Sequence, residues 1–466
     1  MNPARQKNVV LLVDNRHRDL LVSALIAHQL DALGVKCHLE PLEAYQGALG
    51  AYRPDMIVFN HLLASHLVNY SRRLHDMGVL TAVLPNEGIA YNEGDLRFLA
   101  GNHHSTAHID FFFSWNELHR RALLDAGFDQ STRIETIGVP RFDLYFPPWN
   151  KLFLGRPRLQ PRRPLLLLCT NFVFAHYRQL APESVDKFFA PWKDRIPDYH
   201  NYWGLVDIHA RSQQKFFAFL DALVRADEFE IILRPHPSED LRRYQTWFDN
   251  LSLQVRTAVS IDPKSSIAEL ILACDLEFSC ETCTTALESW IARKPTIELS
   301  FERHALFAKS DAHLLNVICT DADKVVETVR AQLAQPEQIP WKAARAAHLA
   351  KWCSTPAGDS SLNLAHLIAT AVKANPQPDW SKLTTVDHRR SLKLKLLRKL
   401  GLAYHYDPWL SFKGRLFPKK YGIKSFTYRK SIRPSDVAAM RTRIQASQQE
   451  SLPTKSARPS PTASPS

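Results

Sequence analysis

The sequence predicts an α/β protein of two doubly wound parallel-sheet units facing a cleft, followed by a basic C-terminal extension. Three observations predict it. Short, near-continuous apolar runs alternate with segments of helical apolar spacing, first before residue 150 and again from 165 onward. Runs of that kind suit strands buried on both faces, as in parallel sheets. A proline-dense stretch, P-P-W at 147–149 and P-R-L-Q-P-R-R-P at 157–164, separates the two series. The length, 466 residues, exceeds one ordinary core and suits two or three domains.

In the first unit, 1–150, strands are expected at 8–14, 35–39, 55–60, 80–84 and 111–115. Helices are expected at 20–33 (ending before Gly34), 70–77 and 117–126 (stopped by Gly127). In the second unit, 151–375, strands are expected at 165–170, 229–233, 276–279 and 296–299. Helices are expected at 211–226, 266–274, 281–292, 323–333 and 361–372. Two such units in series leave a cleft lined by loops at strand C-terminal ends. No internal sequence repeat is visible.

After 375 the character changes. Residues 387–400 mix Arg and Lys with Leu, and Trp409, Phe412, Phe417, Tyr421, Phe426 and Tyr428 stand among further basic residues. From 389 to 433, fourteen lysines and arginines face one acid, Asp407. The net charge of +12 is therefore mostly a property of 376–444, while 445–466, rich in Ser, Pro and Thr, is expected to be disordered. Lys and Arg attract anionic headgroups and Trp and Phe sit at the interface, so we expect an anionic membrane surface as partner through 389–433. No nucleic-acid motif accompanies the charge, so nucleic acid is not expected. No apolar run approaches the roughly eighteen residues of a spanning helix. The opening M-N-P-A-R-Q-K-N leads straight into a strand pattern without a signal-peptide core. Seven scattered cysteines suggest reduced thiols. The expected location is cytoplasmic, peripheral at the inner face of the plasma membrane.

The chemistry concentrates in two stretches of the second unit. Residues 229–239 read F-E-I-I-L-R-P-H-P-S-E, an apolar strand ending in Arg234 and His236 between two stiffening prolines. Arg suits bidentate phosphate binding; His can donate to a phosphate oxygen or act as acid or base. Residues 266–299 read as helix, strand, polar turn, helix, strand. The turn 279–285 opens a helix, where hydroxyls and free N–H groups can hold a phosphate or simply cap the helix. Glu288 follows on that helix and could meet a ribose hydroxyl.

Here the sequence resembles the nucleotide-binding half of GT-B glycosyltransferases. More narrowly, it is similar to bacterial surface-carbohydrate biosynthesis proteins related to capsule Kdo-transferases and bacterial sialyltransferases. The resemblance spans about residues 50 to 370. In those relatives an H-P motif and a Ser/Thr-rich turn contact the CMP of a CMP-sugar, and an acidic pair followed by Gly in the N-terminal domain supplies the base. His236-Pro237 matches the H-P motif, and Ser279, Thr282, Thr284 and Thr285 are candidates for the turn without a unique assignment. G-V-P-R-F-D at 138–143 and C-T-N-F at 169–172 look like signatures at the domain junction, making Arg141 and Asn171 cleft candidates.

The base counterpart should end an N-terminal strand. Asn86-Glu87-Gly88 follows 80–84 and Pro85, with Asn where the family has its first acid. Glu87 is the candidate base; the second Asn-Glu-Gly, at 92–94, puts Glu93 in a loop. The resemblance implies a glycosyltransferase using a nucleotide-sugar donor, CMP-linked first, and a glycan or lipid-linked glycan acceptor of bacterial surface polysaccharide. Glu87 would take the acceptor proton, and His236 and Arg234 would hold the departing phosphate. Another GT-B chemistry (glycerophosphotransfer or sugar-nucleotide epimerisation) and a non-catalytic assembly role remain as alternatives. No resident cofactor or metal is expected. H-H-S-T-A-H at 103–108 lacks an acidic or Cys partner in the run and reads as loop. Cys280 and Cys283 form a C-x-x-C without a second pair, and Asp321-Ala322-Asp323 reads as a helix cap.

Overall fold

The computed structural model describes residues 5–86, 92–101, 107–128, 131–194, 196–281, 283–302, 304, 311–336, 341–404, 412–413, 416 and 432–449. Among the described residues, twelve strands form two six-stranded sheets. The first holds β1 (Asn8–Val13), β2 (Lys36–Pro41), β3 (Met56–Phe59), β4 (Leu80–Val83), β5 (Phe111–Ser114) and β6 (Arg133–Thr136), in the order β2-β1-β3-β4-β5-β6. The second holds β7 (Leu165–Cys169), β8 (Glu230–Arg234), β9 (Val259–Ile261), β10 (Leu276–Cys280), β11 (Thr296–Leu299) and β12 (Val317–Cys319), in the order β12-β11-β10-β7-β8-β9. Every pairing is parallel. Two doubly wound parallel sheets are the architecture that the apolar runs predict. Chain order reverses direction across the sheet between β1 and β3, and between β7 and β10. The crevices outside these strands' carboxyl ends are where α/β sheets bind ligands.

The central strands form because nothing in them asks for water: β7 is L-L-L-L-C, and all five residues are buried. The three strands the periodicity does not predict, β6, β9 and β12, are all sheet edges. R-I-E-T of β6 has no buried residue, so it carries no apolar signal. Some helices also start earlier than expected: 70–77 becomes Ser65–Asp76, and 211–226 becomes Tyr202–Ala226, capped by Asn201, whose side chain accepts from Gly204 N. Glu93, expected in a loop, instead opens helix Glu93–Gly101 and pairs with Lys351 at 3.2 Å.

After the second sheet the chain returns to the first. Helix Ser360–Ala374 packs on helix Leu20–Ala32, which buries eight of its thirteen residues. A helix this apolar needs cover on several sides, and helix Pro434–Gln449 supplies another, with Ile444 fully buried. The tail expected from 445 thus continues as helix to 449; residues 450–466 lie outside the described ones. Asp143 of the G-V-P-R-F-D motif accepts from Ser360 N at 3.1 Å and Ser361 N at 2.6 Å, satisfying the helix's first donors. Gly138 (φ +77°) lies so close that a Cβ there would come within 2.6 Å of Ser360 Oγ.

Part of the basic segment is also folded on the core. Helix Thr385–Lys399 crosses helix Tyr45–Tyr52 closely because Gly47 and Gly50 have no side chain: a Cβ at either would meet backbone of the crossing helix at 3.2 Å. Arg73 closes the contact from the side with a bidentate pair to Asp387, 2.9 Å in one arm. Burial opposes Asp387's charge, but hydrogen bonds from Arg73 and Thr384 hold its carboxyl down at about 2. No helix among the described residues is long and apolar enough to cross a membrane.

Candidate functional site

Register places three exits of the second sheet in one row. Cys169 of β7 is level with Arg234 of β8 and with Ser279 of β10. Glu239, in the loop after R-P-H-P, binds this row together. Its buried carboxylate accepts from Thr170 Oγ1 at 2.7 Å, Phe172 N at 3.0 Å and His236 N at 3.2 Å, and from the Tyr244 hydroxyl. The R-P-H-P and C-T-N-F loops are therefore one unit, clamped by a carboxylate that the sequence reading quotes but assigns no role.

His236 Nδ1 accepts from Ser238 N at 3.2 Å, which leaves the proton of a neutral imidazole on Nε2. Burial, with the charges of Arg234 and Arg18, pushes its pKa down to about 4, so it is neutral at pH 7 and suited to donate rather than to carry charge. Arg234 gives one nitrogen to the carbonyl of Asp262 at 2.9 Å and is half-buried. Arg18 acts on His236, and Arg234 acts on His17, so the loop after β1 faces the R-P-H-P loop across the cleft.

The turn after β10 differs from the expectation. Ser279 is fully buried and donates to the carbonyl of Cys283 at 3.1 Å, so it shapes the turn and does not line the cleft. Thr285 Oγ1 donates at 2.7 Å to Glu277, a fully buried carboxyl raised to about 8 by burial. Thr284 is half-buried at the start of helix Thr285–Ile291, and Thr282 lies outside the described residues. Glu288 is buried beneath the cleft: Oε2 accepts from Tyr145 Oη at 2.5 Å, and Oε1 lies 3.7 Å from Arg141 Nε. It joins the helix after β10 to the junction segment. Burial pushes the Cys283 thiol up to about 12, which removes the thiolate that redox chemistry at C-x-x-C needs. Asp321 caps its helical turn by accepting from Asp323 N at 3.0 Å.

On the first sheet, the exits of β1, β4 and β5 border a cleft lined by Arg18, Leu84, Asn86, Trp115 and Arg141 among others. Arg18 is braced by Asp19 at 2.6 Å and Asp14 at 3.2 Å. Arg141 reaches the carbonyl of Asn86 at 3.4 Å and stacks its guanidinium 5.5 Å from the Trp115 ring centre. Two donors of this lining, Trp115 Nε1 and Arg141 Nε, are buried without a hydrogen-bond acceptor among the described residues. Asn171 stands half-buried at the exit of β7. Glu87, the candidate base, lies outside the described residues, directly after Asn86 of this lining. Arg18, Trp115 and Glu239 escape the sequence reading because each acquires its place through partners far along the chain.

No protein-family model matches the chain, and neither does any curated protein. Solved structures do. The UDP-GlcNAc 2-epimerase of Methanocaldococcus jannaschii in complex with UDP-GlcNAc and UDP is 11% identical, with 78% of this chain and 99% of that one covered and a TM-score of 0.47. The S. aureus MnaA–UDP co-structure is 9% identical, with 80% and 99% covered and a TM-score of 0.49. A glycosyltransferase from Rickettsia africae is 10% identical, with 80% and 100% covered and a TM-score of 0.42.

Proposed function

We propose that this protein is a glycosyltransferase that moves a sugar from a nucleotide donor, CMP-linked in first place, to a bacterial surface-polysaccharide acceptor. The observation that carries the reading is the neutral His236, its Nε2–H available beside Arg234 and opposite Arg18, at the carboxyl edge of a doubly wound sheet. Such a group stabilises a departing phosphate by donation without adding a charge to be desolvated. The donor's sugar–phosphate bond breaks and the phosphate oxygens gain charge at His236 and Arg234. The acceptor oxygen bonds to the sugar carbon, and its proton passes to Glu87. Thr284 would add a hydroxyl to the donor side. Trp115 and Arg141, with donors awaiting acceptors, support an acceptor seat on the first-sheet side.

A thermal-shift screen against CMP, CDP, UDP and GDP tests the donor class: stabilisation by CMP alone is expected, and stabilisation by UDP alone would move the reading to another donor. His236→Ala should weaken nucleotide binding about tenfold, the worth of one hydrogen bond to a charged group, while leaving the folded state in place. Unchanged affinity by calorimetry would remove His236 from the site. Glu87→Gln should abolish transfer and spare nucleotide binding; retained transfer would assign the base elsewhere.

The proposal places the protein on the inner face of the plasma membrane. Helix Thr385–Lys399 supports this. Its inner face (Asp387, Ser391, Leu394) is buried, while Val386, Leu392 and Leu396 are 50%, 69% and 55% exposed among Arg389, Lys393, Lys395 and Lys399. Apolar side chains flanked by cations fit an anionic bilayer surface. Flotation with anionic and neutral vesicles tests it: Leu392→Glu with Leu396→Glu should abolish binding to anionic vesicles. These point changes are preferable to truncation, which would strip the cover from helix Tyr45–Tyr52.

A further inference from the structure

His108 ends the run H-H-S-T-A-H, which has no acidic partner of its own. The fold supplies one, and a second histidine. Asp110, at the entry to β5, places Oδ1 3.2 Å from His108 Nε2. His75, in the last turn of helix Ser65–Asp76, brings its ring centre to 3.6 Å from that of His108, the two planes 29° apart. One ligand atom from each of the three residues lies within 4.8 Å of the others.

Two of the three are held by contacts outside the cluster. Asp110 Oδ2 accepts from Thr81 N at 2.7 Å, which fixes the carboxylate and leaves Oδ1 toward the histidines. His108 N donates to Ser71 Oγ at 3.0 Å, which ties its backbone to helix Ser65–Asp76. Backbone hydrogen bonds to a ligating carboxylate are the kind of outer support that metal sites use.

We infer that His75, His108 and Asp110 form a binding site for a divalent transition metal, with Zn²⁺ the best match. Two imidazole nitrogens and one carboxylate oxygen suit Zn²⁺, whereas Mg²⁺ and Ca²⁺ favour all-oxygen sites. The cluster sits at the strand entries of the first sheet, since Thr81 begins beside Leu80 of β4 and Asp110 precedes β5. That edge is opposite the cleft. The metal would staple the C-terminal turn of helix Ser65–Asp76 to the entry of β5, independently of the proposed reaction.

The test uses the full-length protein freed of metal with chelator and then dialysed. Calorimetry with Zn²⁺ should show about one equivalent bound at this site, and thermal unfolding should shift upward with Zn²⁺ but not with Mg²⁺. Co²⁺ should give visible absorption bands of a low-coordinate site. His75 is exposed, so His75→Ala should unfold like the metal-free parent. It and His108→Ala should each bind Zn²⁺ at least tenfold more weakly and lose the Co²⁺ bands. Absence of Zn²⁺ binding in the parent, or parental Zn²⁺ affinity in either variant, overturns the site.

Discussion

The two edges that face the cleft are built in opposite ways. On the second sheet, buried carboxylates gather the loops: Glu239 binds the exits of β7 and β8, and Glu281 accepts from Ser212 Oγ at 2.7 Å and from Phe301 N and Glu302 N at 3.1 and 3.2 Å. On the first sheet, the lining donors Trp115 Nε1 and Arg141 Nε have no hydrogen-bond acceptor among the described residues, Arg141 Nε lying 3.7 Å from Glu288 Oε1. One edge is largely closed on itself; the other keeps donors open to a ligand's oxygen atoms. On the proposed reading a rigid edge would suit the donor's phosphate, because positioning is settled in advance.

The largest expected effect comes from undoing the closed edge. Glu239→Ala removes the acceptor of four donors and should cost about 3 kcal/mol or more, read from urea unfolding. A loss below about 1 kcal/mol would mean the two loops hold themselves, and the contrast between the edges would collapse.

Glu277→Gln probes the same edge through pH. The folded carboxyl sits at about 8 against an ordinary value of 4.5. Stability tied to the protonated form is full below 4.5 and is lost as pH rises through 8, because only the unfolded chain ionises freely in between. The variant should lack this loss, so its stability relative to the parent should rise between pH 4.5 and 8, by on the order of 1–5 kcal/mol. Parallel pH profiles of parent and variant would refute a buried, protonated Glu277.

The smallest effect belongs to the open edge. Trp115→Phe deletes an unsatisfied donor, so the free protein should be unchanged or up to about 1 kcal/mol more stable, while acceptor affinity falls. Destabilisation well beyond 1 kcal/mol would show that the indole N–H is satisfied in the free protein.

The same contrast explains what the sequence discloses. Interior strands such as β7 and β10 are legible because burial on both faces demands unbroken apolar runs. The edge strands β6, β9 and β12 are not, because one side of each lacks a partner strand and polar residues are tolerated. R-P-H-P is legible as a stiffened strand exit. Glu239 stands inside the same quoted stretch, yet its partners Thr170 and Phe172 are 69 and 67 residues away, and no local pattern reports such closures. Ser279 and Thr285 illustrate the converse. Hydroxyls in a polar turn read as ligand contacts, and the fold spends them on Cys283 and on Glu277 instead.

Asp143 has a mechanical consequence. The chain leaves the first sheet through the junction segment and comes back into helix Ser360–Ala374, and Asp143 pins the outgoing segment to the returning one. Two crossings pinned side by side would confine any movement of one sheet against the other to rotation near the pin. In such a movement contacts beside the pin, such as Tyr145 with Glu288, would keep their spacing, while loops farther along the mouth would sweep wider arcs.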